Sequence, residues 1–375
     1  MDTSTKHHAI SLELATEILA GKYSQTGRLP SEIQLLNRFA VSRPTIGRAL
    51  RSLQEQGLVD RRAGSGTYVR TGTERVPLAH VPSKQLGVII PSLGQTDIFE
   101  SICGELARLA RVNDFGLWSG LSGTPISDAK MTVEEAEDLC SRFIERGVAG
   151  VLFVPFEHQK DREACNHRIT ERLTQAGIPV VLIDRDIGPF PSRSEFDLVG
   201  VDNFAGGYML AEHLIKMGAK RLAYVIRPFT ASTVDARIAG ARIAMLDHGL
   251  KAPHPFVYTG EPTDSKFVRS FAQARQLDAI LCATDQIAAQ LLQTLNRLGV
   301  QIPRDLRLVG FDNVRFAGLL TIPLTSMEQP CREIAFTAFN ALRERIANST
   351  LPPRNMMVSP RLVVRESCGA YLHQT

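Results

Sequence analysis

From residue 85 onward, short apolar runs alternate with longer stretches in which apolar residues recur every three or four positions. The runs predict strands at Leu86–Ile90, Phe115–Trp118, Gly150–Val154, Val180–Ile183, Leu198–Val201, Arg221–Ile226, Ala279–Cys282 and Arg307–Phe311, with helices between them. Repeated strand–helix units imply parallel sheets covered by helices on both faces. Ligands of such α/β bodies bind in loops just past the carboxyl ends of the strands, and two such halves enclose a cleft. The chain has 375 residues, 44% of them hydrophobic and 22% charged, which suits two or three cores and excludes fibrous, disulfide-scaffold and disordered classes. Its longest apolar stretch, Val148 to Phe156, falls short of the ~20 residues of a membrane helix. The opening MDTSTKHH is polar with no apolar segment behind it, so a cytoplasmic protein without a membrane partner is expected.

The first 70 residues are different in kind. They hold 10 Lys and Arg against 6 Asp and Glu, and the remaining 305 residues are balanced, so the whole formal charge of +4 sits in the first fifth of the chain. A basic module on a neutral body points to an anionic partner for that module. Ile10, Leu14 and Ile18 make a helical stripe that Gly21 would end. In LPSEIQLLNRFA, Ser31 followed by Gln34 is a capping-box pattern, with Leu35, Leu36 and Phe39 as the buried face. Ser42 can cap a third helix that carries Pro44 in its first turn and Ile46, Leu50 and Leu53 on its apolar side, stopped by Gly57. Leu58–Arg62, the AGSG turn and Thr67–Val69 then read as a hairpin.

Two helices joined by a tight turn and followed by a hairpin form a winged helix-turn-helix, an α+β unit. The segment GRLPSEIQLLNRFAVSRPTIGRALRSLQEQGLVDRRAGSGTYV resembles the DNA-binding domain of the GntR family, with LPSE, VSR-x-T, AL-x-x-L, GL and G-x-G-T-x-V in order. The resemblance implies double-stranded operator DNA as partner. It assigns Ser31, Glu32, Ser42, Arg43, Pro44, Thr45 and Arg48 on the helices, and Gly64, Ser65 and Gly66 in the wing, to the contact. Arg43 is the side chain there able to grip guanine O6 and N7 together. The sequence departs from the family at Gly47, where a basic residue is usual, and at Ile33, which is often polar, so base readout there does not transfer.

Residues 71–84 carry two prolines and no periodicity and read as a linker. Behind it, IPVVLIDRD, VDNFAGGYMLAEHLIKMGAKRLAYV, STVDARIAG, DAILCATDQIA, LGVQIPRDLRLVGFDN and PLTSMEQP resemble, in order, the effector domain of the LacI/GalR family. The implied body, residues 85–366, has the type I periplasmic-binding-protein-like fold: two Rossmann-like subdomains of parallel sheet around a ligand cleft. The chain would cross between them near 188–200, 323–330 and 350–358. A GntR-type head on such a body is similar to the arabinose-repressor class of regulators.

Planar polar side chains that chelate adjacent hydroxyls, over an apolar wall, are what a sugar requires. Arg237 in STVDAR matches the family's ligand-binding arginine, and Asp312 in GFDN its strand-end aspartate. Thr284 and Asp285 follow the Ala279–Cys282 strand, Asp184 and Arg185 follow Val180–Ile183, and Asp97 and Phe99 lie beyond the first strand of the body, Phe99 as candidate ring wall. Local readings compete: Asp312 as a turn cap, Asp285 as a helix cap, Asp184 and Arg185 as an ion pair, Phe99 as core.

The six cysteines (103, 140, 165, 282, 331 and 368) show no C-x-x-C and no nearby His at ligand spacing, so no metal or cofactor is expected. No P-loop, H-E-x-x-H or G-x-S-x-G motif occurs, and the histidines at 158, 167, 213 and 248 have no readable relay. The expected function is a non-enzymatic, sugar-responsive transcription regulator, a repressor acting as a homodimer. A sugar-binding receptor without DNA function and a GntR-headed enzyme-like regulator are the alternatives.

Overall fold

The computed structural model describes residues 7, 10–11, 13–15, 17–18, 22–23, 26–55, 58–62, 66–69, 84–91, 97–119, 131–157, 160–272 and 277–371. They belong to two compact units, Met1–Pro82 and Ser83–Thr375. The linker expected at 71–84 lies outside the described residues except for Lys84, as do Gly21, Gly57, Gly64 and Ser65.

In the first unit, helix α1 (described at residues 7, 10–11, 13–15 and 17–18), α2 (Glu32–Phe39) and α3 (Arg43–Glu55) close over Ile10, Leu14, Leu35, Ile46, Leu50 and Leu53, all buried. The capping box forms as the spacing predicts: the Ser31 hydroxyl accepts from the Gln34 amide, and the Gln34 side chain accepts from the Ser31 amide at 2.8 Å. Strands β1 (Val59–Arg62) and β2 (Gly66–Val69) pair antiparallel. A third edge was not legible in the sequence. Leu29 donates to the Thr67 carbonyl and Val69 to that of Gly27, both at 2.9 Å, which lays Gly27–Leu29 along the wing.

The second unit has two lobes. One sheet runs β13 (Asn355–Val358), β7 (Asp197–Val201), β6 (Val180–Ile183), β5 (Gly150–Phe153), β3 (Gln85–Ile89) and β4 (Gly116–Ser119), all parallel. The other runs β14 (Arg361–Val363), β12 (Thr325–Glu328), β11 (Arg307–Asp312), β10 (Ala279–Cys282), β8 (Leu222–Ile226) and β9 (Val257–Thr259), parallel except for β14. Central strands such as VVLI and AILC are buried throughout, as two covered faces require. Helices α4 (Asp97–Val112), α5 (Val133–Arg146), α6 (Arg162–Gln175) and α11 (Cys331–Ala347) belong to the first lobe; α7 (Asn203–Lys216), α8 (Ser232–Asp247), α9 (Ser265–Ala272) and α10 (Asp285–Arg297) belong to the second.

The chain passes between lobes three times. The first passage follows β7 at Asp202, because β7 still pairs with β6; the expected crossing at 188–200 therefore shifts past the strand. The second joins β12 to α11, and the third joins β13 to β14 at residues 358–361, just after the expected 350–358. Asp197, fully buried at the start of β7, accepts from Arg345 of α11 at 2.8 and 3.0 Å and from the Arg354 amide at 2.8 Å. Burial pushes its carboxyl up, but the hydrogen bonds from Arg345 and Arg354 outweigh this and hold it below the usual range.

Helices α7 and α8 cross backbone to backbone. A Cβ at Gly207 would stand 2.0 Å from the Arg237 carbonyl oxygen, and one at Gly240 would stand 2.0 Å from that of Phe204. Neither obstacle is a side chain that can swing away. Gly207→Ala is therefore expected to destabilise the body by about 3 kcal/mol or more. Thermal unfolding checks this, with Gly104→Ala, where a Cβ meets nothing within 4 Å, as control.

Candidate functional site

Helix α3 buries one side and offers the other. At 3.6 residues per turn, Arg43, Pro44, Gly47, Arg48 and Arg51 fall within an arc of about 140°, opposite Ile46, Leu50 and Leu53. The Arg43 side chain is 77% exposed, with its Nε 3.8 Å from a Glu32 carboxylate oxygen, so the ends of α2 and α3 present one charged surface. Arg48 is exposed and bonds back to the Pro44 carbonyl at 3.4 Å. Ser42 is exposed, its hydroxyl 2.9 Å from that of Thr45. Thr45, expected on the groove-facing turn, is instead 4% exposed, with its hydroxyl paired to that of Ser42, so it organises the turn. Ser31 likewise spends its hydroxyl on the capping box.

On the wing, Gly66 has φ +119°, and a Cβ there would lie 2.7 Å from the Arg28 guanidinium. Gly66 is required twice, by its backbone and by the arginine that fills the space beside it. Arg28 is exposed and stacks 5.6 Å from the Tyr68 ring centre. The sequence reading missed it because the strand that carries it pairs over a separation of 40 residues.

Within the second unit, a cleft of about 170 Å³ lies between the lobes. Seven of the eight expected effector residues line it: Asp97, Phe99, Asp184, Arg185, Arg237, Thr284 and Asp312. They come from strand ends and helix starts on both lobes, as parallel sheets facing each other dictate. Asp285 does not line it. Thr284 is the N-cap of α10, accepting from the Ile287 amide, and this turns Asp285 into the core, where it accepts from Ser326 Oγ at 2.6 Å and the Val314 amide at 3.0 Å. Burial and the nearby Asp312 push its carboxyl well up, so Asp285 braces the wall from behind.

Arg237, 4% exposed, is fixed on three sides. Its Nε donates to Asn203 at 2.7 Å, its Nη1 to the Ala283 carbonyl at 2.6 Å, and its guanidinium carbon lies 3.6 Å from the Phe311 ring centre. Arg185 is paired with Asp184 at 2.9 Å and with Glu157, and faces the Phe99 ring at 5.6 Å. Phe99 is thus both core and wall, 4% exposed with an edge on the cleft. Glu157, Arg227 and Gln329, not anticipated, also line the cleft. All three follow strand ends, and the rule that located the others could have found them.

Asp312 has φ +111° and accepts from Gln329 Nε2 at 2.7 Å, while Gln329 Oε1 is buried without a partner. Burial pushes the Asp312 carboxyl up to about 7, with Arg237 and the Gln329 bond opposing and the Asp184 and Glu157 charges adding to the rise. The floor of the cleft can therefore hold or release a proton near neutrality.

Comparison with known proteins fits both halves. Residues 6–69 match the family described as bacterial regulatory proteins, gntR family, and residues 211–368 match the periplasmic binding protein-like domain. The chain is 24% identical over 375 residues, 97% of its length and 98% of the relative's, to the arabinose metabolism transcriptional repressor of Geobacillus stearothermophilus. It is 32% identical over 195 residues to the HTH-type transcriptional repressor PurR of Escherichia coli O1:K1, a match spanning 51% of this chain and 56% of that protein.

The chain is a transcription regulator with a GntR-type head and a periplasmic-binding-protein-like body.

The regulator's fold is also that of the transcriptional regulator CelR solved with cellobiose, at TM-score 0.63 and 22% identity over 87% of this chain and 91% of that one. Among the regulator's described residues, no helix is long and apolar enough to cross a membrane, and no cluster of three or more His, Cys, Asp or Glu could hold a metal ion.

The raised Asp312 carboxyl makes a signed prediction. The folded regulator keeps the Asp312 proton where the unfolded chain, with a pKa of about 3.9, has lost it, so ionisation works against the fold as pH climbs from ~4 and does so fully above about 7. Asp312→Asn removes that penalty while keeping an acceptor for Gln329. Its stability gain over the parent should grow by about 2.5 kcal/mol between pH 5 and pH 8. Paired melting curves at the two pH values check it, and a flat or shrinking difference would show a carboxyl ionised throughout.

Proposed function

We propose that this regulator is a cytoplasmic repressor of carbohydrate-utilisation genes, bound to its operator as a homodimer and controlled by a neutral sugar held in the body's cleft. The observation that carries this is the charge state of the cleft. Among the described residues three arginines line it, and each is already engaged: Arg185 by Asp184 and Glu157, Arg227 by Glu261 at 3.2 Å and Gln290 at 2.6 Å, Arg237 by Asn203 and the Ala283 carbonyl. Among the described residues of the cleft, Asp97, Glu157, Asp184 and Asp312 balance these cations, so the lining does not favour an anionic effector. Instead Asp184, Asp312 and the unpaired Gln329 Oε1 supply acceptors for hydroxyl groups, with Phe99 and Phe316 as apolar surface. The arabinose-metabolism repressor and the cellobiose-bound regulator among its relatives support a sugar. They also support binding over catalysis as the role of the cleft.

On the DNA side, Arg43 is the base reader, with Arg48, Arg51 and Arg28 as phosphate contacts that position the helix and wing. Two heads related by a two-fold axis predict a palindromic operator. Gly64 and Ser65, outside the described residues, remain part of this reading.

Two variants separate the halves. Arg43→Ala should weaken binding to an operator obtained by in vitro selection by about 10- to 100-fold. It should leave sugar-induced thermal stabilisation unchanged. Arg237→Ala should retain operator affinity and lose the sugar response. The matching screen is a thermal shift over pentoses, hexoses and disaccharides, with uronic acids and nucleobases as counter-classes. A sugar at 100 times its Kd should stabilise by about 2.7 kcal/mol. Stabilisation by the counter-classes alone would overturn the sugar assignment.

A further inference from the structure

The segment that leaves β11 is held by both lobes through consecutive amides. Asp312 and Asn313 both have positive φ, +111° and +51°, and turn the chain from the strand end into a 3-10 turn at Arg315–Gly318. Within the second lobe the turn is fixed closely. The Asn313 amide donates to Ser326 Oγ at 3.0 Å, Arg365 donates to the Asn313 side chain at 2.8 Å, and the Val314 amide donates to Asp285 Oδ2 at 3.0 Å. The next amide breaks the pattern. Arg315 N donates at 2.8 Å to Asp97 Oδ2, in the first turn of α4 on the opposite lobe. The Arg315 side chain reinforces this contact, with Nε 3.5 Å from Asp97 and Nη2 3.6 Å from Glu100. Val314 and Phe316, on either side of Arg315, line the cleft, and Asp97 lines it too.

We propose that Asp97 and the Arg315 amide form a clasp that holds the two lobes together, making Asp97 a positioning residue and not a ligand contact. The consequence for effector affinity rests on the cleft reading above; the clasp itself can be measured on the unliganded protein. Geometry sets the order of importance. The Arg315 side chain is 82% exposed, so its ion pairs lie in water and add little. The amide–carboxylate bond is charge-assisted, is made by the backbone, and survives removal of the Arg315 side chain. Asp97→Asn keeps an oxygen for that amide without the charge.

The test uses the full chain without sugar, with donor and acceptor dyes on non-natural residues at exposed positions 142 in the first lobe and 266 in the second, read by single-molecule energy transfer. Hydrogen exchange across residues 313–318 is read in parallel. Asp97→Ala should populate a longer inter-lobe distance and speed exchange at 315 by about tenfold or more. Asp97→Asn should fall between it and the parent, and Arg315→Ala should differ from the parent by about threefold or less. An Asp97→Ala distance distribution equal to the parent's would overturn the clasp, as would an Arg315→Ala effect as large as that of Asp97→Ala. Exchange raised equally throughout the body would also overturn it, since it would mean general destabilisation. The sugar assignment is decided separately by the thermal-shift screen, so either reading can fail alone.

Discussion

The cleft depends on two helices touching without side chains between them. Gly207 and Gly240 bring α7 and α8 close enough that each backbone lies where the other's Cβ would be. This contact decides where the start of α7 sits relative to α8, and so places Asn203 2.7 Å from Arg237 Nε. The guanidinium is then locked by the Ala283 carbonyl at the end of β10 and by the Phe311 ring in β11. Three sequence-distant elements converge on one cation, a rigidity that a recognition site needs and loops alone seldom supply.

Burial gives the rest of the site its character. Asp184, Asp312, Arg185 and Arg237 are all at most 8% exposed, and charges so placed persist only when paired. The pairing is uneven. Arg185 has two carboxylates, whereas Asp312 has only a nearby guanidinium and one amide, which oppose but do not offset the burial that lifts its carboxyl toward neutrality. Asp312 and the buried Gln329 Oε1 thus keep unused hydrogen-bonding capacity, and a ligand hydroxyl meets them at lower desolvation cost than it would meet a saturated pair.

Much of this was legible in the sequence because it follows local rules. Parallel strands read as apolar runs, and cleft-lining residues lie just past them, so the positions of Asp184 and Thr284 follow from the strand ends, while Asp312 was named through the resemblance to the LacI/GalR effector domain. Failures arose where a one-residue phase or a distant partner decides. Thr284 and Asp285 are adjacent, and either could cap α10; Thr284 does, which rotates Asp285 into the core. Thr45 lies on the expected turn but on the far side of its helix axis. Strands β9, β13 and β14 are partly exposed strands at sheet edges and β12 reads TSME, so none carries the continuous apolar run that marks equally short central strands such as VVLI. Arg28 was invisible because its role is set by Gly66 and Tyr68 far along the chain.

The three inter-lobe passages limit how such a body can respond. Asp197 is gripped by Arg345 and Arg354, which ties β7, α11 and the approach to β13 into one block on the first lobe. A change of lobe angle must therefore be absorbed after that block, at Asp202, at Gln329–Pro330 and at Ser359–Pro360, where the chain is in neither sheet. Gln329 is itself a cleft residue, and Asp202 directly precedes Asn203, the partner of Arg237. Groups that would feel a ligand thus lie within one residue of two of the three hinges. A ligand in the cleft would then be coupled to the angle between the lobes through covalent neighbours, with no longer relay required.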